Sequence, residues 1–232
     1  MKTFTIGKKK IVLKEEWMVG FITTWIVGLL AHAYRFFNFL PIWDSIYNFT
    51  GVGSTYTLGR WFLGYAGLIT SMFDLPWVNG AFSLFYISIV VILLTEMFEI
   101  KNKGMIVLCA AIFVSFPTVV SSFAYMYTAD AYLLAFLLAT LAVYLTWCVK
   151  KWGTIAGMVC LAFAMGIYQA YATVAIVLVL LYIIRQFVIE KLDFLEAVRK
   201  DLKYLGMLVG GAVLYAVILK ITLIRYNITL PG

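Results

Sequence analysis

Long apolar runs separated by short polar segments make up most of this chain. Five runs are each long enough to cross a bilayer as one helix, at about 17–36, 77–98, 105–124, 129–149 and 204–224. A further run at 154–188 is too long for one helix and contains the polar break YQAY at 168–171. Dividing it at this break gives helices at 154–167 and 171–188. The pattern therefore predicts an all-α, polytopic transmembrane protein of about seven spans, with a single domain over residues 1–232.

The distribution of lysine and arginine supports this division. Cytoplasmic loops of membrane proteins are enriched in basic residues. With a cytoplasmic amino terminus, that side holds Lys2, Lys8, Lys9, Lys10, Lys14, Lys101, Lys103, Lys150, Lys151, Arg185, Lys191, Arg199, Lys200 and Lys203. The outer side keeps Arg35, Arg60 and Arg225, and Lys220 lies within the last span. This asymmetry requires two helices between residues 154 and 188.

Composition agrees with a membrane protein and narrows the function classes. The 232 residues are 64% hydrophobic and 12% charged, whereas soluble domains carry about 25% charged residues. The net charge of +7 comes from the cytoplasmic lysines, so no nucleic-acid partner is predicted. Cys109, Cys148 and Cys160 all lie inside apolar runs, and an odd count without paired spacing argues against a disulfide framework or a metal site.

The only long segment on the outer side is the loop at about 37–76. Its first part, 38–57, is rich in turn-forming residues. Its second part, 58–73, has helical periodicity and is predicted to be an interfacial helix. The predicted apolar face consists of Leu58, Trp61, Phe62, Tyr65, Leu68, Ile69 and Met72, and the opposite face of Arg60, Gly64, Gly67 and Ser71. On the inner side, 189–203 is predicted to be an amphipathic connecting helix.

Four charged residues on the outer side are candidates for chemistry, and each has a structural alternative. Arg60 could bind a phosphate bidentately or extend to lipid headgroups. Asp44 could be a general base or the N-cap of a short helix. Asp130, at the outer end of the fourth span, could cap that helix or serve a functional site. Asp74 precedes a Leu-Pro turn, which favours a structural role.

Five segments, in this order, resemble one family of membrane enzymes. They are PIWDSIYN, GRWFLGY, FDLPWVNG, VSFPTVVSSFAYMYTADAYLLA and GIYQAY, across roughly residues 38–171. Together they resemble the bacterial O-antigen type-II (Gtr-type) membrane glucosyltransferases, which belong to the GT-C class of polytopic glycosyltransferases. Family members are generally longer than this chain.

The resemblance implies transfer of glucose from polyprenyl-phosphate-glucose to a surface glycan, on the outer face of the bacterial plasma membrane. GT-C enzymes carry an essential acid in the first outer loop, a place that Asp44 occupies here. In this interpretation Asp44 is the general base, Asp130 is a second acid and Arg60 binds the donor phosphate. The remaining substrate-lining residues are Trp43, Tyr127, Tyr168 and Gln169.

Two points remain open at the level of sequence. Many GT-C loops have paired acids, whereas Asp44 is followed by Ser45, and one carboxylate is a poor divalent-metal site unless Asp130 joins it. No cofactor is therefore predicted with certainty. The alternative function is a non-enzymatic membrane protein such as a flippase, a transporter or a scaffold subunit. Transporters usually place polar residues near the bilayer midplane, where this sequence has few.

Overall fold

The protein is a bundle of helices preceded by a short hairpin. The computed structural model describes residues 2–6, 9–47, 55–70, 73–191 and 193–228. The antiparallel hairpin is formed by β1 (Lys2–Ile6) and β2 (Lys9–Leu13). The helices are α1 (Glu15–Phe37), α2 (Trp43–Tyr47), α3 (Leu63–Ala66), α4 (Pro76–Met97), α5 (Lys103–Ser115), α6 (Pro117–Ser122), α7 (Met126–Cys148), α8 (Gly153–Ile167), α9 (Ala172–Arg185) and α10 (Phe194–Tyr226).

Within the described part of the chain, five helical segments are long and apolar enough to cross a membrane. They are Glu15–Phe37, Pro76–Met97, Pro117–Cys148, Gln169–Glu190 and Arg199–Tyr226. The helices α5 and α8 are apolar but have only 13 and 15 residues, so each is about 20 Å long against a hydrocarbon core of about 30 Å. The predicted membrane character is thus supported, and the count of seven spans stays a prediction.

The two predicted breaks in the apolar runs have different outcomes. The division at 168–171 is confirmed, because α8 ends at Ile167 and a 3₁₀ turn over Gln169–Tyr171 leads into α9. The predicted span 105–124 is wrong as a single helix. Phe116 has extended backbone angles and Pro117 starts a new helix, as expected where proline excludes a helical residue before it.

The predicted interfacial helix at 58–73 is also corrected. Only Leu63–Ala66 is α-helical, followed by a 3₁₀ turn at Gly67–Ile69. The chain before it turns at Gly59, whose φ of +74° is incompatible with a right-handed helix. Trp61 is buried rather than facing the lipid. Ser71 and Met72 of the predicted helix, and residues 48–54 of the turn-rich stretch, lie outside the described residues.

The inner connector is not a separate helix. A π-helical turn over Gln186–Glu190 follows α9, and α10 then runs without a break from Phe194 to Tyr226. The amphipathic stretch therefore forms the first turns of a long helix. Its apolar Leu195 and Leu202 are largely exposed, consistent with a membrane surface next to these turns.

The centre of the bundle is α7, which packs against α4 on one side and α8 on the other. In turn α1 packs on α4 and α5, and α10 on α8. Alanines dominate the buried surface of α7, namely Ala129, Ala131, Ala135, Ala139 and Ala142. Small side chains allow close contact between helix backbones, which is a main source of association between helices in a bilayer.

Acidic and basic residues that are distant in sequence meet at one end of the bundle. Lys14 Nζ lies 2.6 Å from Glu96, Lys103 Nζ lies 2.7 Å from Glu15, and Arg185 lies 2.8 Å from Glu99. The three basic residues, Lys14, Lys103 and Arg185, are all on the predicted cytoplasmic side. Their contacts are consistent with one polar end facing one aqueous phase.

A glycine at the contact between α7, α8 and α10 gives a first prediction. A Cβ on Gly157 would lie 2.7 Å from the Ala142 carbonyl oxygen and 2.9 Å from Met207 Cγ. Because the backbone cannot move away cheaply, we expect Gly157→Ala to lower the free energy of unfolding by about 1–3 kcal/mol. Thermal unfolding in detergent micelles measures this.

The matched control is Gly206→Ala, also in a helix. Nothing lies within 4 Å of a Cβ at this position, and alanine is the better helix former. We expect it to leave the melting temperature unchanged or slightly raised. A Gly157→Ala variant as stable as Gly206→Ala would contradict the close packing described above.

Candidate active site

A cavity of about 450 Å³ lies at the end of the bundle away from the charged pairs. Its walls come from α2, the segment after residue 55, α6, α7 and the break between α8 and α9. The lining residues are Asp44, Leu58, Arg60, Ser121, Ser122, Tyr125, Tyr127, Tyr132, Tyr168 and Tyr171. Five tyrosines and two serines give it a polar, aromatic wall, and Arg60 and Asp44 supply its charges.

Four of the predicted site residues meet at this cavity. Asp44 lies on α2, Arg60 follows Gly59, Tyr127 lies on α7 and Tyr168 follows α8. They are far apart in sequence and are brought together only by the packing of the bundle. The cavity is therefore lined by an acid, a cation and aromatic rings.

Arg60 is held against two tyrosines. Its Nη1 donates to the Tyr132 hydroxyl at 3.3 Å, and its guanidinium carbon lies 4.4 Å from the centre of the Tyr168 ring. The two tyrosine rings are themselves stacked with centroids 5.6 Å apart. The buried Nε has no hydrogen-bond partner among the described residues. Arg60 therefore has a fixed orientation and retains a donor for an anionic ligand.

The position of Arg60 depends on the turn before it. Gln169 Nε2 donates to the Leu58 carbonyl at 2.7 Å and to the Tyr215 hydroxyl at 2.9 Å, and that hydroxyl donates to the Gly59 carbonyl at 3.1 Å. The backbone of Phe62 donates to the Gly166 carbonyl at 2.8 Å. Gln169, predicted to line the substrate, thus contacts the turn itself and is not part of the cavity wall that the described residues form.

Asp44 is not the N-cap of its helix. The residue that links the first turn of α2 to the preceding backbone is Ser45, whose hydroxyl lies 2.8 Å from both the nitrogen and the oxygen of Ile42. Asp44 is the second residue of α2 and is exposed at the cavity. The prediction that Asp44 is the N-cap is therefore wrong, because the helix begins one residue before it, at Trp43.

Trp43 and Asp130 lie away from the cavity wall of the described chain. Trp43 is 71% exposed at the start of α2. Asp130 is 2% exposed, and its two oxygens accept hydrogen bonds of 3.1 Å from Thr70 and from Asn79. Because Asn79 also accepts from the Leu75 backbone at 3.0 Å, Asp130 connects the end of the outer loop and the start of α4 to α7. Its role as a second acid stays a prediction.

The third outer acid, Asp74, faces Arg35. Burial raises the pKa of the Asp74 carboxyl, and the nearby Arg35 guanidinium partly offsets this rise in pKa. Arg35 Nε donates to the Phe123 carbonyl at 2.8 Å, and its Nη2 to that of Ala124 at 3.3 Å. The arginine thereby ties α1 to the junction between α6 and α7, where Ser121 and Ser122 approach the cavity.

Five lining residues were not singled out from the sequence. They are Ser121, Ser122, Tyr125, Tyr132 and Tyr171. Four lie in the segment VSFPTVVSSFAYMYTADAYLLA, where the density of hydroxyl groups within an apolar protein was the available signal. Pro117 was a sequence signal for a break in the apolar run, but nothing in the sequence indicated that α6 would bend towards the outer loop.

No group of three or more acid, histidine or cysteine side chains that could hold a metal ion occurs among the described residues. Asp44 and Asp130, which were the sequence candidates for such a pair, do not share the cavity wall. We therefore derive no step through a metal ion.

Comparison with known families adds the decisive observation. The family described as "Glucosyl transferase GtrII" matches residues 33–230. The chain belongs to the glucosyl transferase GtrII family. The match includes all ten residues that line the cavity. Neither a curated protein nor a solved structure matches this chain.

Membership of the GtrII family makes the protein a glycosyltransferase and supports glucosyl transfer as its activity. Family membership argues against the non-enzymatic alternatives, which were a flippase, a transporter or a scaffold subunit. Among the described parts of this GtrII protein, the cavity at Asp44 and Arg60 combines features that such an enzyme needs: a carboxylate, a cation and aromatic surfaces suited to a sugar ring.

The Gly59 turn generates a prediction about the site. A Cβ on Gly59 would lie 2.5 Å from Gln169 Nε2 and 2.7 Å from the Tyr215 hydroxyl, at a φ of +74°. We expect Gly59→Ala to destabilise the protein by roughly 1–3 kcal/mol and to reduce glucosyl transfer, because Arg60 follows directly. Thermal unfolding and transfer assays measure the two effects. Wild-type values for both would show that the turn does not position Arg60.

Proposed function

We propose that this protein transfers glucose from a polyprenyl-phosphate carrier to a hydroxyl of a surface glycan at the outer face of the bacterial plasma membrane. The observation that carries the proposal is the grouping of Asp44 and Arg60 at one cavity in a chain of the GtrII family. The charge pattern supports an outward-facing cavity, because the paired lysines and acids lie at the opposite end of the bundle.

The proposed reaction is a single displacement at the anomeric carbon. Asp44 takes the proton of the acceptor hydroxyl, and the oxygen so activated forms a bond to the anomeric carbon. The bond between that carbon and the phosphate oxygen breaks, and the lipid phosphate leaves as an anion with the bonding electrons. General-base assistance of this kind contributes typically 10²–10⁴-fold to a rate.

Arg60 stabilises the charge that develops on the departing phosphate. Its guanidinium is already oriented by Tyr132 and Tyr168, so little reorganisation is needed during the reaction. In this proposal the exposed Trp43 lies at the entrance of the cavity and Tyr127 forms part of its wall. Each contacts the sugar or the acceptor. Asp130 supports the site indirectly, because it accepts hydrogen bonds from Thr70 at the end of the outer loop and from Asn79 in α4.

The carboxylate is tested by Asp44→Asn, which keeps the size of the side chain and removes the base. We expect transfer of labelled glucose from polyprenyl-phosphate-glucose to fall by about 100-fold or more, with the protein still folded. Asp193→Asn is the matched control, because this exposed aspartate precedes α10 and lies on the predicted inner side. Equal transfer by wild type and Asp44→Asn would remove Asp44 as the base and direct attention to Asp130.

The cation is tested by Arg60→Gln. Loss of one preorganised charge at the leaving group is expected to lower kcat by about 100-fold, and Arg60→Lys should recover only part of this loss because lysine lacks the planar contact with Tyr168. The control is Arg225→Gln, an exposed arginine at the end of α10. A similar small effect of both Gln variants would assign Arg60 to lipid headgroups.

A further inference from the structure

The cavity has two chemically different sides. On one side, Arg60 offers hydrogen-bond donors, and its Nε is buried without a partner among the described residues. On the other side lie Ser121 and Ser122, at the end of α6. A serine hydroxyl can donate one hydrogen bond and accept two, so its role towards a ligand depends on where its hydrogen already points.

Both serine hydrogens are directed into the helix. The Ser121 hydroxyl donates to the Thr118 carbonyl at 2.9 Å, and the Ser122 hydroxyl donates to the same carbonyl at 3.0 Å. The Ser121 oxygen keeps its lone pairs, and the Ser122 oxygen keeps a lone pair beside the hydrogen bond that it shares with the Tyr171 hydroxyl. The α6 wall of the cavity therefore presents two neighbouring acceptors, which match a ligand that donates hydrogen bonds.

The bend at Phe116 brings these acceptors to the cavity. Phe116 is extended and Pro117 starts α6, so the chain changes direction before it reaches α7. Arg35 holds the next residues through the carbonyls of Phe123 and Ala124. Ser122 is half-buried and Ser121 exposed. Pro117 before the two serines and the half-buried Arg35 guanidinium, which binds the two residues after them, thus set their positions.

We infer that Ser121 and Ser122 accept hydrogen bonds from the hydroxyl groups of the sugar carried by the lipid donor, and so orient it while its phosphate lies on Arg60. This inference rests on the proposed function. A phosphate that links a lipid to a sugar has no proton to donate at neutral pH, so two acceptors would repel it, whereas sugar hydroxyls can donate. In this assignment the serines bind the sugar and Arg60 binds the phosphate, so the cavity fixes the direction in which the sugar phosphate lies.

The test compares a carrier that bears the sugar with one that lacks it, and each variant is compared with wild type on the same carrier. Binding of polyprenyl-phosphate-glucose and of polyprenyl phosphate is measured for the purified full chain in detergent, for wild type and for Ser121→Ala/Ser122→Ala. Loss of two neutral hydrogen bonds should weaken binding of the glucose-bearing carrier by roughly 10-fold and leave binding of the sugar-free carrier unchanged. Arg60→Gln should weaken binding of both carriers.

Two further variants separate recognition from structure. Ser115→Ala is the matched control, because Ser115 is exposed and its hydroxyl also donates to a helix carbonyl, at 2.6 Å to Ala111, but it is not among the cavity residues. It should bind both carriers like wild type. Ser121→Thr in the Ser122→Ala background restores one hydroxyl and should recover part of the affinity for the glucose-bearing carrier.

The binding measurements distinguish the assignment of the serines from the proposed function. Equal weakening for both carriers, or no weakening for either, overturns the assignment of the serines while leaving the proposed function intact. A wild-type protein that binds neither carrier overturns the proposed function, and this assignment with it. Selective loss for the glucose-bearing carrier, with recovery by threonine, supports the assignment.

Discussion

The candidate site depends on the hydrogen bonds that pair the backbone groups of one turn, the turn at Gly59. Unpaired peptide groups are costly next to a bilayer. The turn pairs two of its own amides, because Gly59 N donates to the Tyr56 carbonyl and Arg60 N to the Thr55 carbonyl. Gln169 and Tyr215 supply hydrogen bonds to the carbonyls of Leu58 and Gly59, and the end of α8 supplies one to Phe62. The turn that carries Arg60 is consequently attached to two helices that are distant in sequence.

The break between α8 and α9 connects this attachment to the chemistry. Tyr168 lies beneath the Arg60 guanidinium, and the adjacent Gln169 holds the turn from which Arg60 extends. One polar interruption in an apolar run thus contributes both a cavity surface and a structural support. A continuous helix here would place these two side chains about 100° apart on its surface. Instead, Tyr168 has extended backbone angles and Gln169 starts the 3₁₀ turn, and both side chains contact the segment around Gly59.

Charge is separated along the bundle. One end contains acids paired with lysines or arginines, as between Lys14 and Glu96. At the other end, Asp130 is buried in neutral hydrogen bonds and Asp44 is exposed at the cavity. The candidate groups of this GtrII chain thus lie at one end of the bundle and its ion pairs at the other.

The sequence by itself determined the apolar helices, the break at 168–171 and the membership of a glucosyltransferase family, because these depend on local composition and ordered motifs. It also indicated Asp44, Arg60, Tyr127 and Tyr168 as candidates. Only the tertiary structure decided that Gln169 supports the turn, that Asp130 is enclosed and that α6 brings serines to the cavity. These facts depend on contacts between distant segments, and hydrophobic periodicity carries no information about such contacts.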